Sequence, residues 1–213
     1  MSSPDSQSQR AYQILKRKIL DGGYGADDVL SERSLAEECG VSRSPLRSAI
    51  ARLEQEDVLC RLANGALVAR PVTVIQLLEI VQTRRILEGA AAERAAALYG
   101  LTPELKVERE HMSAYLDKDD WPFDTFWDSD NRFHAGIALA ARLTLLPGIL
   151  DELRAVARRC SITRTHDRFT QQAREHLAVI DHIERRDPAG ARRAMEEHFD
   201  SARARFLEWL DRA

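Results

Sequence analysis

The sequence predicts a mainly α protein in two parts: a small N-terminal unit of helices closed by a β-hairpin, and a C-terminal all-α bundle. Three observations predict it. Apolar residues recur at helical spacing from residue 11 onward, a single Asn-Gly pair stands between two short apolar runs, and beyond Arg70-Pro71-Val72-Thr73 only helical periodicity remains.

Ala11, Ile14, Leu15 and Ile19 share one face and predict an amphipathic helix over 8–21, preceded by a disordered lead-in over 1–8. It stops at Gly22-Gly23, and the stretch to Val29 is rich in turn residues. Ser31 can cap a second short helix that buries Leu35 and Ala36 and ends at Cys39-Gly40. Ser42-Arg43-Ser44-Pro45 opens a third, with proline in the first turn and Leu46, Ile50 and Leu53 as its buried stripe. Residues 58–62 and 66–69 then flank Ala63-Asn64-Gly65, a hairpin signal because Asn-Gly accepts positive φ at low cost. This order is that of a winged helix-turn-helix over 9–70. Residues 71–73 read as a linker, and 74–213 as a bundle of about six helices near 74–99, 103–117, 123–141, 145–161, 169–186 and 189–211. Thr102-Pro103 and Asp187-Pro188 are cap-plus-proline starts.

Composition narrows the function classes. With 44% hydrophobic and 31% charged residues, the chain can bury a real core. No apolar run approaches the ~20 residues that cross a bilayer, so no membrane partner is expected. The N-terminus lacks the charged start and apolar centre of a signal peptide. Cys39, Cys60 and Cys160 are odd in number and match no zinc spacing, which fits thiols in a reducing cytoplasm. Net charge is -3, and residues 1–70 carry ten Lys/Arg against ten Asp/Glu. A nucleic-acid partner must therefore be argued from where the arginines sit.

On the third helix, Arg43, Ser44 and Arg47 lie on a flank away from the apolar stripe. Such a helix can enter a major groove while its other side holds the fold. Arginine suits the task, since its planar fork pairs with guanine O6 and N7 or grips phosphate. Ser42 and Ser44 stand at the helix N-terminus, where backbone N–H groups also favour phosphate. The bland alternative is a set of surface arginines on a small helical domain. Leu30-Ser31-Glu32-Arg33-Ser34-Leu35-Ala36, Gly40 through Arg47 and Arg52-Leu53-Glu54 decide between them, because together they resemble the DNA-binding domain of the GntR family. The resemblance implies that Arg33, Arg43 and Arg47 contact DNA, with Ser42, Ser44 and the wing glycine Gly65 assisting. Two departures stand out: Ser48 replaces a commonly acidic residue, and the wing runs short.

In the second part, Asp130 and His134 are i and i+4 on one helix, on a face shared with Phe126, Trp127 and Ile137. His176 aligns with Ala173, Ile180 and Ile183, and His198 with Ala191, Ala194 and Ala202. Each lies on an apolar stripe, where burial without partners costs a few kcal/mol per group. Convergence on a divalent cation satisfies all four, and one carboxylate with three imidazoles suits Zn, Ni or Mn. A single histidine of this kind is more readily a hydrogen-bonded core residue; four are not. His111, His166 and His182 lack the alignment and read as ordinary histidines.

Residues 74–211 in turn resemble the FCD effector domain of the FadR-type GntR subfamily, on Arg84 through Glu88, Asp130-Asn131-Arg132-Phe133-His134, Glu175-His176 and Ala194…His198. The metal-binding members carry an Asp and a His on one helix and two later histidines, and all four positions are filled here. Arg142-Leu143-Thr144 departs from the family's turn of a small residue plus Asn. Four protein ligands leave an octahedral ion open positions for a carboxylate-bearing metabolite. Arg84 either clamps the far end of that acid or forms a surface pair with Glu88 at i+4.

The expected function is a DNA-binding transcriptional regulator, a homodimer on a palindromic operator, controlled by a small organic acid at the metal site. A metal-sensing regulator is the nearest alternative. A metal-dependent hydrolase is less well supported, since no general base stands beside the ligands and the N-terminal third would be unexplained.

Overall fold

A computed structural model describes residues 4–20, 22–24, 28–98, 100–117, 121–160 and 169–210. Two compact units emerge, one of Met1–Thr73 with Ala155–Ser161, the other of Val74–Arg154 with Ile162–Ala213. The sequence alone would group Ala155–Ser161 with the helical part.

The first unit contains α1 (Pro4–Leu20), α2 (Glu32–Cys39), α3 (Arg43–Gln55), β1 (Leu59–Arg61) and β2 (Leu67–Ala69). α1 starts earlier than the apolar stripe suggests. Residues 4–8, expected as part of a disordered lead-in, are helical; Pro4 in the first position needs no N–H, and its fixed φ suits a helix start. Ala11, Leu15, Ile19, Leu35, Leu46, Ile50 and Leu53 interdigitate in one core cluster. Tyr12 ties α1 to α3: its hydroxyl donates to Glu56 at 2.7 Å and the Arg52 guanidinium lies 3.7 Å from its ring centroid. α2 is capped by Ser31, which accepts from the Ser34 amide, and ends on Gly40 at φ 62, a left-handed conformation that favours glycine.

The wing pairs Leu59 with Ala69, Cys60 with Val68 and Arg61 with Leu67. Its turn is not the two-residue Asn-Gly type. The Gly65 amide donates to the Leu62 carbonyl and Leu62 to Ala66, while Gly65 alone of the turn residues takes positive φ, at 83. Asn64 instead accepts the Ala66 amide on its side chain at 3.0 Å. This is a type I turn followed by a left-handed glycine, the usual three-residue hairpin. Leu30, which the sequence places beside a turn-rich stretch, adds a β-bridge to Leu67.

The second unit holds α4 (Val74–Leu98), α5 (Pro103–Ala114), α6 (Phe123–Ala140), α7 (Leu146–Arg158) as far as Arg154, α8 (Phe169–Glu184) and α9 (Pro188–Leu210). Thr102 caps α5, accepting the Leu105 amide, and Asp187 accepts the Gly190 amide in the first turn of α9. After α6 the chain turns through Arg142 at φ 56, a left-handed conformation that costs a residue other than glycine about 1–2 kcal/mol. The core joins Ala91, Ala92, Ala95 and Ala96 of α4 to Phe133 and Ile137 of α6, Val179 and Ile180 of α8 and Met195 and Phe199 of α9. Small residues on α4 let α9 approach closely, and the faces of α6, α8 and α9 that carry Asp130, His134, His176 and His198 meet one another.

Candidate metal centre and DNA-facing helix

Asp130, His134, His176 and His198 converge, each offering one ligand atom within 4.8 Å of the others, and all four are buried. His134 and Asp130 stand one turn apart on α6, with Asp130 Oδ1 3.6 Å from His134 Nε2 and 3.3 Å from His176 Nε2. Ring packing fixes the imidazoles. His176 stacks on Phe133 with centroids 4.0 Å apart, and its ring lies 4.6 Å from that of His198.

The outer nitrogen of each imidazole is engaged. His134 Nδ1 meets Glu88 of α4, His198 Nδ1 meets Glu175 Oε2 at 2.8 Å, and His176 Nδ1 meets the Met112 thioether at 3.3 Å. Carboxylates behind His134 and His198 set the tautomer and raise the basicity of the inner nitrogen. The inner Nε2 atoms of His134 and His176 are buried without any hydrogen-bond partner. Orphaned inner nitrogens with fixed outer ones are what a divalent ion satisfies, so the residues fit the cation that the sequence implies.

Electrostatics agree. Burial holds the His176 imidazole well below its ordinary pKa, helped by His198, and burial lowers His198 as well. Both stay neutral, the form that ligates. Burial pushes the Asp130 carboxyl up, but Arg154 and the histidines outweigh it and hold the group well below the carboxylate range. Glu88 behaves alike: against burial, Arg84 and His134 bring it down to about 2.

Arg84 does pair with Glu88, its Nε donating at 2.7 Å, but the pair is not a surface one. Arg84 is 9% exposed and Glu88 1%. Arg84 thus stands behind the carboxylate that orients His134, and its Nη2 is buried without a partner. The sequence reading did not place three neighbours at the cluster: Glu88 and Glu175, which bond the outer nitrogens of His134 and His198, and Arg154 of α7, whose Nη1 donates to Asp130 Oδ2. A signal existed for two of them. Arg154 lies on the stripe of Leu150 and Ala157, and Glu88 on that of Ala91, Ala92 and Ala95, where a charge has no business without a partner. Among the other histidines, His111 sits 3.3 Å from Glu108 and His182 2.9 Å from Asp187; His166 lies outside the described residues.

In the first unit, Ser42, Arg43, Ser44 and Arg47 are exposed at the start of α3, while Pro45, Leu46, Ala49, Ile50 and Leu53 are buried. Ser42 occupies the N-cap position with extended backbone and makes no side-chain cap bond. Arg47 Nε donates to Glu32 Oε2 at 2.9 Å, and Arg61 of the wing joins the other oxygen at 3.2 Å. Arg33, on α2, pairs with Glu37 at 3.0 Å and remains 79% exposed. Gly65 is exposed at the wing tip.

A winged helix-turn-helix joined to a helical domain with a buried Asp/His cluster defines a class, that of DNA-binding regulators with an effector domain. Residues 7–68 match the bacterial regulatory proteins of the gntR family and residues 79–201 match the FCD domain, and the chain belongs to the FadR-like GntR regulators that combine the two. It is 27% identical to the Uxu operon regulator of Haemophilus influenzae, across 95% of this chain and 82% of that protein. It is likewise 27% identical to the gluconate operon transcriptional repressor of Bacillus subtilis, across 98% and 88%. Among solved structures, McbR/YncC of Escherichia coli superposes with a TM-score of 0.71 at 21% identity, covering 99% of this chain and 100% of that one; this likeness concerns the fold. These relatives are named as regulators and repressors, and the chain is a transcriptional regulator rather than an enzyme. Among the described residues no helix is long and apolar enough to cross a membrane.

Proposed function

We propose that this regulator binds a palindromic operator as a homodimer and that a small organic acid, held at a divalent cation in the FCD domain, controls that binding. The observation that carries the reading is the pair of orphaned inner nitrogens of His134 and His176, buried against Asp130 with their outer nitrogens fixed. Asp130, His134, His176 and His198 would hold the cation. When bound, it supplies a Lewis-acid anchor for a carboxylate oxygen. Glu88 and Glu175 orient the imidazoles, Arg84 holds Glu88, and the surrounding aromatic rings keep water out.

The names of relatives support an acid. Besides the gluconate operon repressor, a relative in Escherichia coli, 29% identical, is named as a putative L-lactate dehydrogenase operon regulatory protein. Gluconate and lactate are both hydroxy acids with a carboxylate able to reach a metal.

On the DNA side, Arg43 and Arg47 read base edges or grip phosphate, Ser42 and Ser44 bind phosphate at the α3 N-terminus, and Arg33 and Gly65 touch the flanking backbone. The dimer supplies two heads for the two half-sites of the operator, since one winged helix alone is too small to read DNA specifically.

The test starts with duplexes selected from a random library by the zinc-loaded protein. Small organic acids are screened by thermal shift, and each hit is titrated against the selected duplex. The reading requires an acid that stabilises wild type, fails to stabilise His134→Ala, and alters duplex affinity by about 5–150-fold, the usual range of allosteric coupling. Acids that stabilise the protein and leave DNA binding untouched would refute it. A response to zinc alone would identify the metal-sensing alternative.

A further inference from the structure

Glu32, at the start of α2, carries an arginine on each carboxylate oxygen. Arg47 of α3 donates from Nε to Oε2 at 2.9 Å, and Arg61 of the wing donates from Nη2 to Oε1 at 3.2 Å. Arg61 also reaches α3, where its Nε lies 3.0 Å from Glu54 Oε1. Backbone pairing accounts for the meeting. Leu67 of β2 pairs with Arg61 in the hairpin and with Leu30 through the β-bridge, and the Leu30 amide donates to the Leu67 carbonyl at 2.7 Å. Two residues beyond Leu30 stands Glu32, within reach of a side chain as long as that of Arg61. Glu54 follows Arg47 by about two turns of α3 and so lies on the same flank of the helix.

What Arg61 does to Glu32 decides what Arg47 offers outward. A carboxylate with both oxygens free takes a guanidinium bidentately, which would occupy a terminal nitrogen of Arg47 as well as its Nε. With Oε1 bonded to Arg61, the carboxylate holds Arg47 by Nε. Arg61 also sits between two carboxylates on the flank of α3 that carries Arg47, and its charge offsets their repulsion of phosphate. Little of this serves the fold itself: the Arg61 side chain is 44% exposed, and ion pairs so exposed contribute little to stability.

We infer that Arg61 is a positioning residue for DNA recognition: by occupying one oxygen of Glu32, it keeps Arg47 held at Nε alone, with both terminal nitrogens left for the operator. The wing thus shapes the reading of α3 through its strand, apart from any contact made at its tip. A planar fork presented whole pairs bidentately with guanine, whereas one with a terminal nitrogen tied to Glu32 does not. The assignment rests on the reading above in which α3 and Arg47 meet the DNA.

The experiment titrates full-length, zinc-loaded protein against its selected duplex and a random-sequence duplex, by mobility shift at several salt concentrations. The variants are Arg61→Met, which keeps the stem and loses every donor, Arg47→Ala, and the two combined, each checked for folding by circular dichroism. Arg61→Met is expected to narrow the ratio of selected to random binding by about threefold or more, part of the roughly 5–150-fold that one bidentate base contact gives. In the Arg47→Ala background the same change is expected to leave the ratio where it stands, because Arg61 acts through Arg47. The salt slope is expected to stay that of wild type. A loss that persists without Arg47, with the slope lowered by about one, would make Arg61 a phosphate contact of its own and overturn the positioning role. Should Arg61→Met unfold, Arg61→Ala takes its place, and failure of both to fold would make Arg61 a structural residue and overturn it too. An unchanged ratio in Arg61→Met beside a weakened Arg47→Ala would overturn this inference alone. Wild-type affinity in Arg47→Ala would overturn it together with the reading of α3.

Discussion

Arg47 on α3 and Glu32 at the start of α2 are joined by a 2.9 Å hydrogen bond from Nε, which leaves both terminal nitrogens of the guanidinium for another partner. Glu32 stays ionised, because the bonds from Arg47 and Arg61 lower its pKa against a smaller opposing effect of burial. An arginine held at its inner nitrogen presents its outer edge in a fixed plane, which suits bidentate pairing with guanine.

Arg47→Ala is accordingly expected to weaken binding to a selected duplex by about 1–3 kcal/mol and leave the fold intact. Glu32→Ala frees the same fork and should narrow the ratio of specific to random-sequence binding. Mobility shifts on both duplexes measure these effects. Wild-type affinity in Arg47→Ala would remove α3 from the interface.

His176→Ala is expected to lose the metal. In wild type, zinc at a hundredfold excess over its dissociation constant should add about 2.7 kcal/mol of stability, and in the variant almost none. Thermal melts with and without zinc, beside elemental analysis, provide the check. Equal zinc-dependent shifts in both proteins would show that His176 is not a ligand.

Glu88→Gln keeps the shape behind His134 and removes the charge. Its expected effect is a loss of zinc affinity of about 10–100-fold, read by competition with a chromogenic chelator. Unchanged affinity would reduce Glu88 to a packing partner of Arg84.

The metal-free protein should lose stability as the pH falls, in two windows. Burial depresses the folded-state pKa of His176 and His198 below 6.5, so beneath that pH the unfolded chain binds protons that the folded one refuses. Stability therefore declines from about pH 6.5 downward. Glu88 acts lower: folded near 2 against an ordinary 4.5, its contribution is present above 4.5 and disappears as the pH falls toward 2. Melting temperatures of chelator-treated protein across this range test the first window, and a flat profile between pH 8 and 5 would contradict it.

The four members of the cluster were legible because each lies on an apolar stripe of its own helix, a property of local sequence. Their partners were not. Glu88 shares a stripe with alanines, but that its carboxylate meets His134 depends on how α4 lies against α6. Arg154 belongs to a helix whose approach to Asp130 no spacing encodes. Arg84 illustrates the limit well: i+4 geometry correctly joined it to Glu88, while only packing could show that both are buried. In the wing, Asn64-Gly65 marked the hairpin, but not that Asn64 would bond through its side chain and give the left-handed place to Gly65 alone. The start of α1 was misplaced because Pro4 through Ser8 carry no apolar stripe, and helix there extends from a stripe begun at Ala11.

The cluster draws its members from α6, α8 and α9, segments far apart along the chain. A bond among them closes long loops, and loop closure restricts the unfolded ensemble in the manner of a disulfide. Unlike a disulfide, a staple made by an ion at this cluster would come undone when a stronger chelator competed for it. On the proposed reading the lifetime of the folded regulator would follow the supply of metal, and starvation for the ion would expose α8 and α9 to proteolysis.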